Sequence, residues 1–215
     1  MSNIIIIGAG GQAQAVLEAL ESDENNKIVG YLDANKDLRG KEISGYKVLG
    51  DLSLLKSLVA DKIVDSAIVA IGESKVRRKY AKLIKEANVE AINAIHPRST
   101  ISKKAKLGKG IFIGAGVVIG PYSVIGDYSI ININSVIPHY NSIGDYVNIA
   151  PGVNMGGGCK IGECSFVGIG STIKQYTNVG ANSIIGAGAV VIRDVGENVV
   201  YAGIPAKFIK DNPTE

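Results

Sequence analysis

The chain has 215 residues, enough for two small domains, and its 23 basic and 20 acidic side chains leave a formal net charge of +3. So small an excess of positive charge argues against binding to nucleic acid or to an anionic membrane. No apolar run approaches about eighteen residues, and the start, MSNI, lacks the basic region of a signal peptide. The sequence therefore predicts a soluble, cytoplasmic protein without membrane insertion.

The first predicted elements are a strand over residues 4–7 and a helix over residues 15–20, joined by a glycine-rich turn. Residues 8–13 read GAGGQA, which matches the G-x-G-x-x-A pattern in its expected place between strand and helix. The backbone N–H groups at such a helix start favour an anionic group. A second apolar run, residues 28–32, ends at Asp33, where an acid able to bond a ribose or sugar hydroxyl is expected.

Strands over residues 66–71 and 89–95 complete residues 1–95, interpreted as a Rossmann-like α/β domain that binds a sugar nucleotide. Alternating strands and helices predict a parallel sheet with a ligand site at the carboxyl ends of its strands. One alternative stays open, a structural cap whose glycines serve only the turn. A nicotinamide dehydrogenase is disfavoured because only one mononucleotide-binding half is present. The predicted edge carries Gly10, Gly11, Gln12, Asp33, Ala34 and Gly72.

Four cations cluster at the start of a helix predicted over residues 75–87, namely Lys75, Arg77, Arg78 and Lys79. They could approach a diphosphate, but cations at a helix N-terminus oppose the helix dipole. A solvated helix face is therefore the prediction for these four side chains.

From residue 101 onward an apolar residue recurs at every sixth position without interruption. A six-residue period does not fit a helix of 3.6 residues per turn, whereas a short strand and a tight turn fit it. Three such units make a triangular coil of eighteen residues, and stacked coils bring equivalent residues to about 4.8 Å from each other. The sixteen repeat residues are Ile101, Leu107, Ile113, Ile119, Ile125, Ile131, Ile137, Ile143, Ile149, Met155, Ile161, Val167, Ile173, Val179, Ile185 and Val191.

The positions around these apolar residues complete the prediction of a parallel β-helix. Residues four places later are mostly small or β-branched and are expected at the prism corners, with Ile111 and Asn141 as exceptions. Glycines directly after the apolar residue, such as Gly108, Gly114 and Gly120, are expected to allow a positive φ. The predicted organisation is a linker at 96–100, a β-helix at 101–198 and a C-terminal cap at 199–215.

The chain contains two cysteines, and both lie in the repeat. Cys159 occupies a predicted corner, where a small apolar thiol fills the core, so this role is favoured over a disulfide or a catalytic role. The sequence also shows no His, Cys or carboxylate spacing typical of a metal site.

His139 is the only histidine of the repeat region. Acyl transfer from a thioester to an amine or hydroxyl needs a base, and histidine is the side chain best matched to neutral pH. His139 lies two residues after Ile137, near a corner and outside the core. From this position alone, a surface imidazole without a role is the default interpretation.

Several segments together resemble the sialic acid O-acetyltransferase family of hexapeptide-repeat sugar acyltransferases, which includes bacterial N-acetyltransferases of nucleotide-linked 4-amino sugars. These segments are GAGG at 8–11, VIPH at 136–139, IGDYVNIAPG at 143–152 and AGIPAK at 202–207, together with Asn132. The resemblance covers residues 4 to about 210 in one order. It implies a left-handed parallel β-helix, a homotrimer, and acetyl-CoA bound along the crevice between neighbouring β-helices.

The same resemblance implies roles for individual residues. His139 would be the general base, while Asn132 and the six edge residues of the first domain would bind the sugar nucleotide. Acetyl-CoA would contact Asn148, Gly157, Ile169 and Lys207. The chain departs from the family where Tyr140 replaces the usual acid after the base, Asn148 replaces a second histidine, and Gln12 replaces a common histidine. Tyr140 is therefore expected to tune the base.

The expected reaction is direct transfer of acetyl from acetyl-CoA to the amino group of a nucleotide-linked sugar of the 4-amino-4,6-dideoxy type, in bacterial surface glycan biosynthesis. No covalent enzyme intermediate is required. Two alternatives remain open at this point. One is O-acetylation of a sugar hydroxyl, and the other is a non-catalytic trimeric scaffold that has lost turnover.

Overall fold

The computed structural model describes residues 2–213 and divides into two compact units, one ending at Pro97 and the other beginning at Arg98. The first unit is an α/β domain with two further 3₁₀ turns, Lys36–Leu38 and Leu52–Leu54. Its strands and helices are β1 Ser2–Ile7, α1 Gly11–Glu21, β2 Asn26–Leu32, β3 Glu42–Ile43, β4 Tyr46–Gly50, α2 Leu55–Ala60, β5 Ser66–Val69, α3 Ser74–Glu86, β6 Glu90–Ala91 and β7 Ala94–Ile95.

The sheet of the first unit has the strand order β3-β4-β2-β1-β5-β6. All neighbours pair in parallel except β3 and β4, which form an antiparallel hairpin. Strand β1 lies at the centre, and the side chains of Ile4 to Ile7 are fully buried. The chain order reverses between β1 and β5, which is where open α/β sheets bind ligands outside the carboxyl ends of their strands. The predicted parallel α/β architecture is confirmed.

The sequence prediction missed the hairpin of β3 and β4 and the helix α2. The hairpin turns at Ser44 and Gly45, which both have positive φ, and β4 then pairs in parallel with β2. Strand β5 ends at Val69, earlier than predicted, and the last predicted strand is split into β6 and β7. These short strands are stabilised by their sheet neighbours, which a local apolar pattern does not reveal.

One member of the predicted basic face is placed differently in the structure. Lys75, Arg78 and Lys79 are exposed on α3, but Arg77 has no exposed surface. The prediction of a solvated face is therefore wrong for Arg77. Its guanidinium donates from Nη1 to the carbonyl oxygens of Ile71 and Gly72, at 2.9 and 2.8 Å.

The second unit consists of two-residue strands that stack into three parallel sheets and end in a hairpin. The strands are β8 Thr100–Ile101, β9 Lys106–Leu107, β10 Phe112–Ile113, β11 Val118–Ile119, β12 Val124–Ile125, β13 Ile130–Ile131, β14 Val136–Ile137, β15 Ser142–Ile143, β16 Asn148–Ile149, β17 Asn154–Met155, β18 Lys160–Ile161, β19 Phe166–Val167, β20 Thr172–Ile173, β21 Asn178–Val179, β22 Ile184–Ile185, β23 Val190–Val191, β24 Val199–Ala202 and β25 Lys207–Asp211.

Residues eighteen positions apart pair in register, as Ile119 does with Ile137, so the predicted parallel β-helix is confirmed. The apolar residues of the six-residue repeat are buried from Ile113 to Val191, while Ile101 and Leu107 in the first coil are half-buried. Polar corner residues satisfy their hydrogen bonds between coils. Ser129, for example, donates to the carbonyl oxygen of Gly144 at 2.8 Å.

The glycines that follow the repeat residues serve close packing between coils. Gly108, Gly114 and Gly120 do not have a positive φ, so the predicted reason for glycine there is wrong. A Cβ atom on Gly120 would lie 2.6 Å from the backbone nitrogen of His139 in the next coil. The left-handed conformation occurs two residues later, for example at Tyr122 with φ 62°.

The C-terminal segment extends the β-helix before it folds back. Strand β24 pairs in parallel with β22, and β25 pairs antiparallel with β24, which brings Tyr201 opposite Phe208. Their rings meet edge to face with centroids 6.0 Å apart. Among residues 2–213, no helix has both the length and the apolar character needed to cross a membrane.

Candidate active site

The carboxyl edge of the first sheet is shaped by Gly8, at the end of β1. Gly8 has φ 103°, and a Cβ atom there would lie 2.8 Å from Cγ1 of Ile71 and 2.9 Å from the carbonyl oxygen of Ala70. Glycine therefore lets the end of β1 approach the end of β5. Gly10 and Gly11 are exposed, and a Cβ atom on either would meet nothing within 4 Å. The turn thus leaves open space above the start of α1.

The N-terminus of α1 has the properties of an anion site. Gly10 is its N-cap residue, no side chain caps the helix, and its first turn contains no acidic residue. The positive end of the helix dipole and its unpaired N–H groups favour a negatively charged ligand. Nε2 of Gln12 is buried and has no hydrogen-bond partner among the described residues. An amide donor is therefore present at the same helix start.

Asp33 links the glycine-rich turn to the loop after β2. Its Oδ2 accepts a hydrogen bond from the N–H of Ala9, and its Oδ1 accepts one from the N–H of Asn35, both at 2.8 Å. Asp33 therefore organises two loops of the predicted ligand edge, a role that the sequence did not suggest. Ala34 and Gly72 lie exposed in the loops after β2 and β5. Arg77, predicted from the sequence to be solvated, donates a hydrogen bond to the carbonyl oxygen of Gly72 and so holds this loop in place.

His139 lies exposed at a corner of the β-helix, between β14 and β15. Gly157, one coil further on, lies directly against its imidazole ring. A Cβ atom on Gly157 would be 2.5 Å from Cε1, 2.9 Å from Nε2 and 3.0 Å from Nδ1 of His139. Any larger residue at position 157 would displace the ring. The structure thus brings together the predicted base and one of the predicted acetyl-CoA contacts.

Tyr140 meets His139 edge to face, with ring centroids 5.5 Å apart and an interplanar angle of 79°. On its other side it stacks on Tyr122 at 5.1 Å and 8°. Nζ of Lys104 donates to the hydroxyl of Tyr122 at 3.0 Å. Among residues 2–213, no carboxylate forms an ion pair with His139. The aromatic neighbour of His139 within the same chain is therefore the uncharged ring of Tyr140, which is 63% exposed.

Asn141 anchors the turn that carries His139. It is buried, its Nδ2 donates to the carbonyl oxygen of Pro138 at 2.8 Å, and its Oδ1 accepts from the N–H of Cys159 at 2.9 Å. The sequence marked Asn141 as an exception among small corner residues and assigned it no role. Cys159 is also buried, and burial raises the pKa of its thiol, so it is a core residue.

The other predicted residues of the second unit lie away from His139 within one chain. Asn148 lies in β16 and Asn132 directly follows β13 of the same sheet, whereas His139 follows β14 of a different sheet. Ile169 is 59% exposed at the corner after β19. Lys207 begins β25 and is exposed. The prism thus carries the predicted base and these four residues on different parts of its surface.

Comparison with known proteins identifies the family. The protein-family model described as the PglD N-terminal domain matches residues 3–84 of the chain. A structure of a histidine-to-asparagine variant of perosamine N-acetyltransferase from Caulobacter crescentus, in complex with CoA and GDP-perosamine, is 33% identical in sequence. The match covers 98% of each chain with a TM-score of 0.93. The chain belongs to the nucleotide-amino-sugar acyltransferase family.

Two further members of this family are similar to the chain. The acetyltransferase domain of PglB from Neisseria gonorrhoeae FA1090, in complex with acetyl coenzyme A, is 31% identical over 97% of this chain and 99% of that chain, with a TM-score of 0.89. UDP-N-acetylbacillosamine N-acetyltransferase from Bacillus subtilis is 31% identical over 109 residues. The matched stretches span 23% to 49% of the length of the curated relatives.

Proposed function

We propose that the protein transfers the acetyl group of acetyl-CoA to the amino group of a nucleotide-linked amino sugar, of the 4-amino-4,6-dideoxy type, for a bacterial surface glycan. The observation that carries this proposal is the match over 98% of the chain to perosamine N-acetyltransferase, a protein whose structure holds CoA and GDP-perosamine. A cytoplasmic location remains part of the proposal.

His139 is the proposed general base. The sugar amine attacks the acetyl carbonyl carbon, and the imidazole of His139 accepts the proton that the amine loses. The tetrahedral intermediate then collapses, and the CoA thiolate leaves. The exposed corner position of His139 gives a substrate access to the ring, while Gly157 and Tyr140 restrict the ring's orientation.

The nucleotide part of the substrate is proposed to bind to the first unit. The start of α1, with Gly10 and Gly11 exposed and Nε2 of Gln12 without a hydrogen-bond partner among residues 2–213, suits a diphosphate. Asp33, Ala34 and Gly72 lie in the loops along the same sheet edge. Asn132 remains a proposed contact of the sugar on the second unit.

The active form is proposed to be a homotrimer. His139 and Asn148 lie on different sheets of one prism, so a second copy of the chain is needed to bring two such residues to one acetyl group. The amide of Asn148 from a neighbouring copy would then donate a hydrogen bond to the oxyanion of the intermediate. Gly157, Ile169 and Lys207 would contact acetyl-CoA along the crevice between copies.

The test is a thiol-release assay with acetyl-CoA and nucleotide-linked amino sugars. His139→Ala should lower kcat by about 100-fold or more, because a positioned base contributes a factor of this size. Gln175→Ala is the matched control, since Gln175 lies exposed two coils away at the position equivalent to His139. Near-normal thiol release by a correctly assembled His139→Ala protein would reject the mechanism.

The chemistry of the product separates the proposed reaction from O-acetylation. A galactoside O-acetyltransferase from Escherichia coli is 39% identical over 46 residues, which makes an ester product a specific alternative. An amide resists mild base and hydroxylamine, whereas an ester is cleaved by both. Mass spectrometry of the product before and after such treatment therefore shows whether the acetyl group was transferred to an amine or to a hydroxyl of the sugar. If no sugar tested gave thiol release, the result would indicate a non-catalytic scaffold.

A further inference from the structure

The turn at residues 156–158, one coil after His139, carries no side chain because all three residues are glycines. It is hydrogen-bonded to the turns of both neighbouring coils. The N–H of Gly158 donates to the carbonyl oxygen of His139 at 3.1 Å, and the N–H of Tyr176 donates to that of Gly157 at 3.0 Å. This triple-glycine turn therefore lies directly between the turn of the proposed base and the turn that carries Tyr176.

Two rings lie against the triple-glycine turn, one from each neighbouring coil. The imidazole of His139 lies against Gly157, as described above. The ring of Tyr176 lies against Gly158, where a Cβ atom would be 2.7 Å from its Cδ1 and 2.8 Å from its Cε1. Because Gly157 and Gly158 are consecutive, the proposed base and the ring of Tyr176 line neighbouring parts of one small surface.

Tyr176 differs from the other tyrosines at the corners of the β-helix. It has φ 61°, a left-handed conformation that is uncommon for a bulky side chain. Four other tyrosines share this conformation and stack in pairs, Tyr122 on Tyr140 and Tyr128 on Tyr146. Within residues 2–213 no ring stacks on Tyr176 and its hydroxyl forms no hydrogen bond, and the residue is 75% exposed. Packing within the chain therefore does not account for this tyrosine.

The proposed reaction brings the acyl group of the thioester close to this surface. The attacking amine must lie within hydrogen-bond reach of His139 and about 3–3.5 Å from the carbonyl carbon, which keeps that carbon near the triple-glycine turn. Asn132, the proposed sugar contact, precedes His139 along the prism, whereas the proposed acetyl-CoA contacts Gly157 and Ile169 follow it. The acyl group therefore belongs on the side of His139 that faces Tyr176.

We propose that Tyr176 is a specificity-determining residue that limits the length of the acyl group. This inference rests on the proposed function and deepens it by defining which thioesters the site accepts. The triple-glycine turn leaves room for the acyl group, and the ring of Tyr176 closes the far end of that room. An acetyl group ends before the ring, whereas the further methylenes of a butyryl group would collide with it.

The test compares acetyl-CoA with butyryl-CoA on the full chain. Binding is measured by calorimetry without sugar, and turnover is measured as thiol release with nucleotide-linked amino sugars. Wild-type protein should bind acetyl-CoA about 10-fold more tightly than butyryl-CoA, because even one methylene that does not fit a pocket has an effect of this size. The ratio of the two kcat/KM values should favour acetyl-CoA by at least the same factor.

Tyr176→Ala removes the ring and should make the affinities for acetyl-CoA and butyryl-CoA nearly equal. Affinity for free CoA, which has no acyl group, should stay as in the wild-type protein. The variant should also transfer butyryl: the amine attacks the butyryl carbonyl, His139 accepts the proton, a C–N bond replaces the C–S bond, and CoA leaves as the thiolate. Tyr176→Phe is the matched control, because it keeps the ring and loses only the hydroxyl, and it should keep the preference for acetyl-CoA.

Three results would overturn the inference. The first is equal binding of acetyl-CoA and butyryl-CoA by the wild-type protein, which decides without any variant if Tyr176→Ala does not fold. The second is an unchanged ratio in a folded Tyr176→Ala protein. The third is an equal loss of affinity for acetyl-CoA and free CoA in that variant, which would place the ring against another part of the CoA molecule.

The same measurements separate this inference from the proposed function. A changed ratio of affinities in Tyr176→Ala, without thiol release from any amino sugar, would support the inference and reject the proposed function. Thiol release by the wild-type protein, with an unchanged ratio in the variant, would do the opposite.

Discussion

At the scale of single residues, the contact between His139 and Gly157 explains why the corner one coil above the proposed base must be glycine. The imidazole ring occupies the space that a Cβ atom of residue 157 would need. Because His139 is exposed, an alanine at 157 would push the ring aside rather than disturb the core. The orientation of the base is therefore set by a residue with no side chain of its own.

Gly157→Ala should lower kcat by about 10- to 100-fold, since a displacement of about 1 Å in a reacting group has this effect. The melting temperature should hardly change. Gly196→Ala is the matched control, because Gly196 is exposed, lacks a positive φ, and leaves nothing within 4 Å of an added Cβ atom. Full activity of Gly157→Ala would show that the contact does not position the base.

Tyr140 gives a second prediction at the residue scale. A carboxylate beside an imidazole stabilises the imidazolium and raises its pKa, which a neutral tyrosine does not do near pH 7. Tyr140→Glu should therefore move the acidic limb of kcat/KM upward by about one pH unit. Tyr140→Phe keeps the stack on Tyr122 and should retain activity.

The pH profiles of these two variants discriminate the possible roles of Tyr140. An acidic limb that stays in place in Tyr140→Glu would mean that a carboxylate, from Asp145 or from another copy, already faces His139. A loss in Tyr140→Phe as large as in His139→Ala would instead make the phenol hydroxyl catalytic.

At the scale of elements, the turn after β14 is held by a buried amide in place of the small residue typical of the corners. Asn141 joins the carbonyl of Pro138 to the backbone N–H of Cys159 in the next coil. The corner hydroxyl of Ser123 in the preceding coil donates to the same carbonyl of Pro138 and accepts from the N–H of Asn141. Asn141 thus connects the segment that carries His139 to the preceding coil through Ser123 and to the next coil through Cys159.

Asn141→Ala should lower the free energy of unfolding by about 1–3 kcal/mol, because it leaves the buried N–H of Cys159 unpaired and removes one of two hydrogen bonds to the carbonyl oxygen of Pro138. Denaturant titration measures this loss. Asn154→Ala is the control, since the side chain of Asn154 is exposed and donates from Nδ2 to the nearby carbonyl oxygen of Gly152, and it should change stability by less than about 0.5 kcal/mol. Equal stability of the two variants would contradict the anchoring role of Asn141.

At the scale of the whole molecule, the β-helix presents large apolar side chains that one chain leaves uncovered. Phe166, Ile169 and Tyr176 are 38%, 59% and 75% exposed. Sixteen repeats without a loop insertion give flat faces that suit cyclic packing of identical copies. These features support the proposed trimer.

Light scattering at micromolar concentration should give three times the chain mass of 22.5 kDa. Phe166→Glu should shift the protein towards monomers and reduce thiol release in parallel, because a charge would enter an apolar contact. Phe166→Leu is the conservative control and should keep both the trimer and the activity. A monomeric wild-type protein with full turnover would remove the shared crevice from the proposal.

The two architectures and the family could be predicted from the amino-acid sequence alone. The six-residue period indicates a repeating local geometry, and the GAGGQA turn indicates a strand followed by a helix. Both can be predicted without knowing which other segments pack against them. Both predictions of fold class and the predicted family are confirmed. The exposed position of His139 followed from the same period, because a residue two places after a buried one reaches the corner.

Contacts between residues far apart in the chain could be identified only from the three-dimensional structure. The burial of Arg77, the use of Asp33 by two loops and the close approach of Gly157 to the ring of His139 depend on contacts between distant segments. Strand β4 pairs in parallel with β2, a partner that the local sequence of β4 does not indicate. Local patterns report which face of an element is apolar, whereas the neighbours that an element meets are set by the packing of the whole unit.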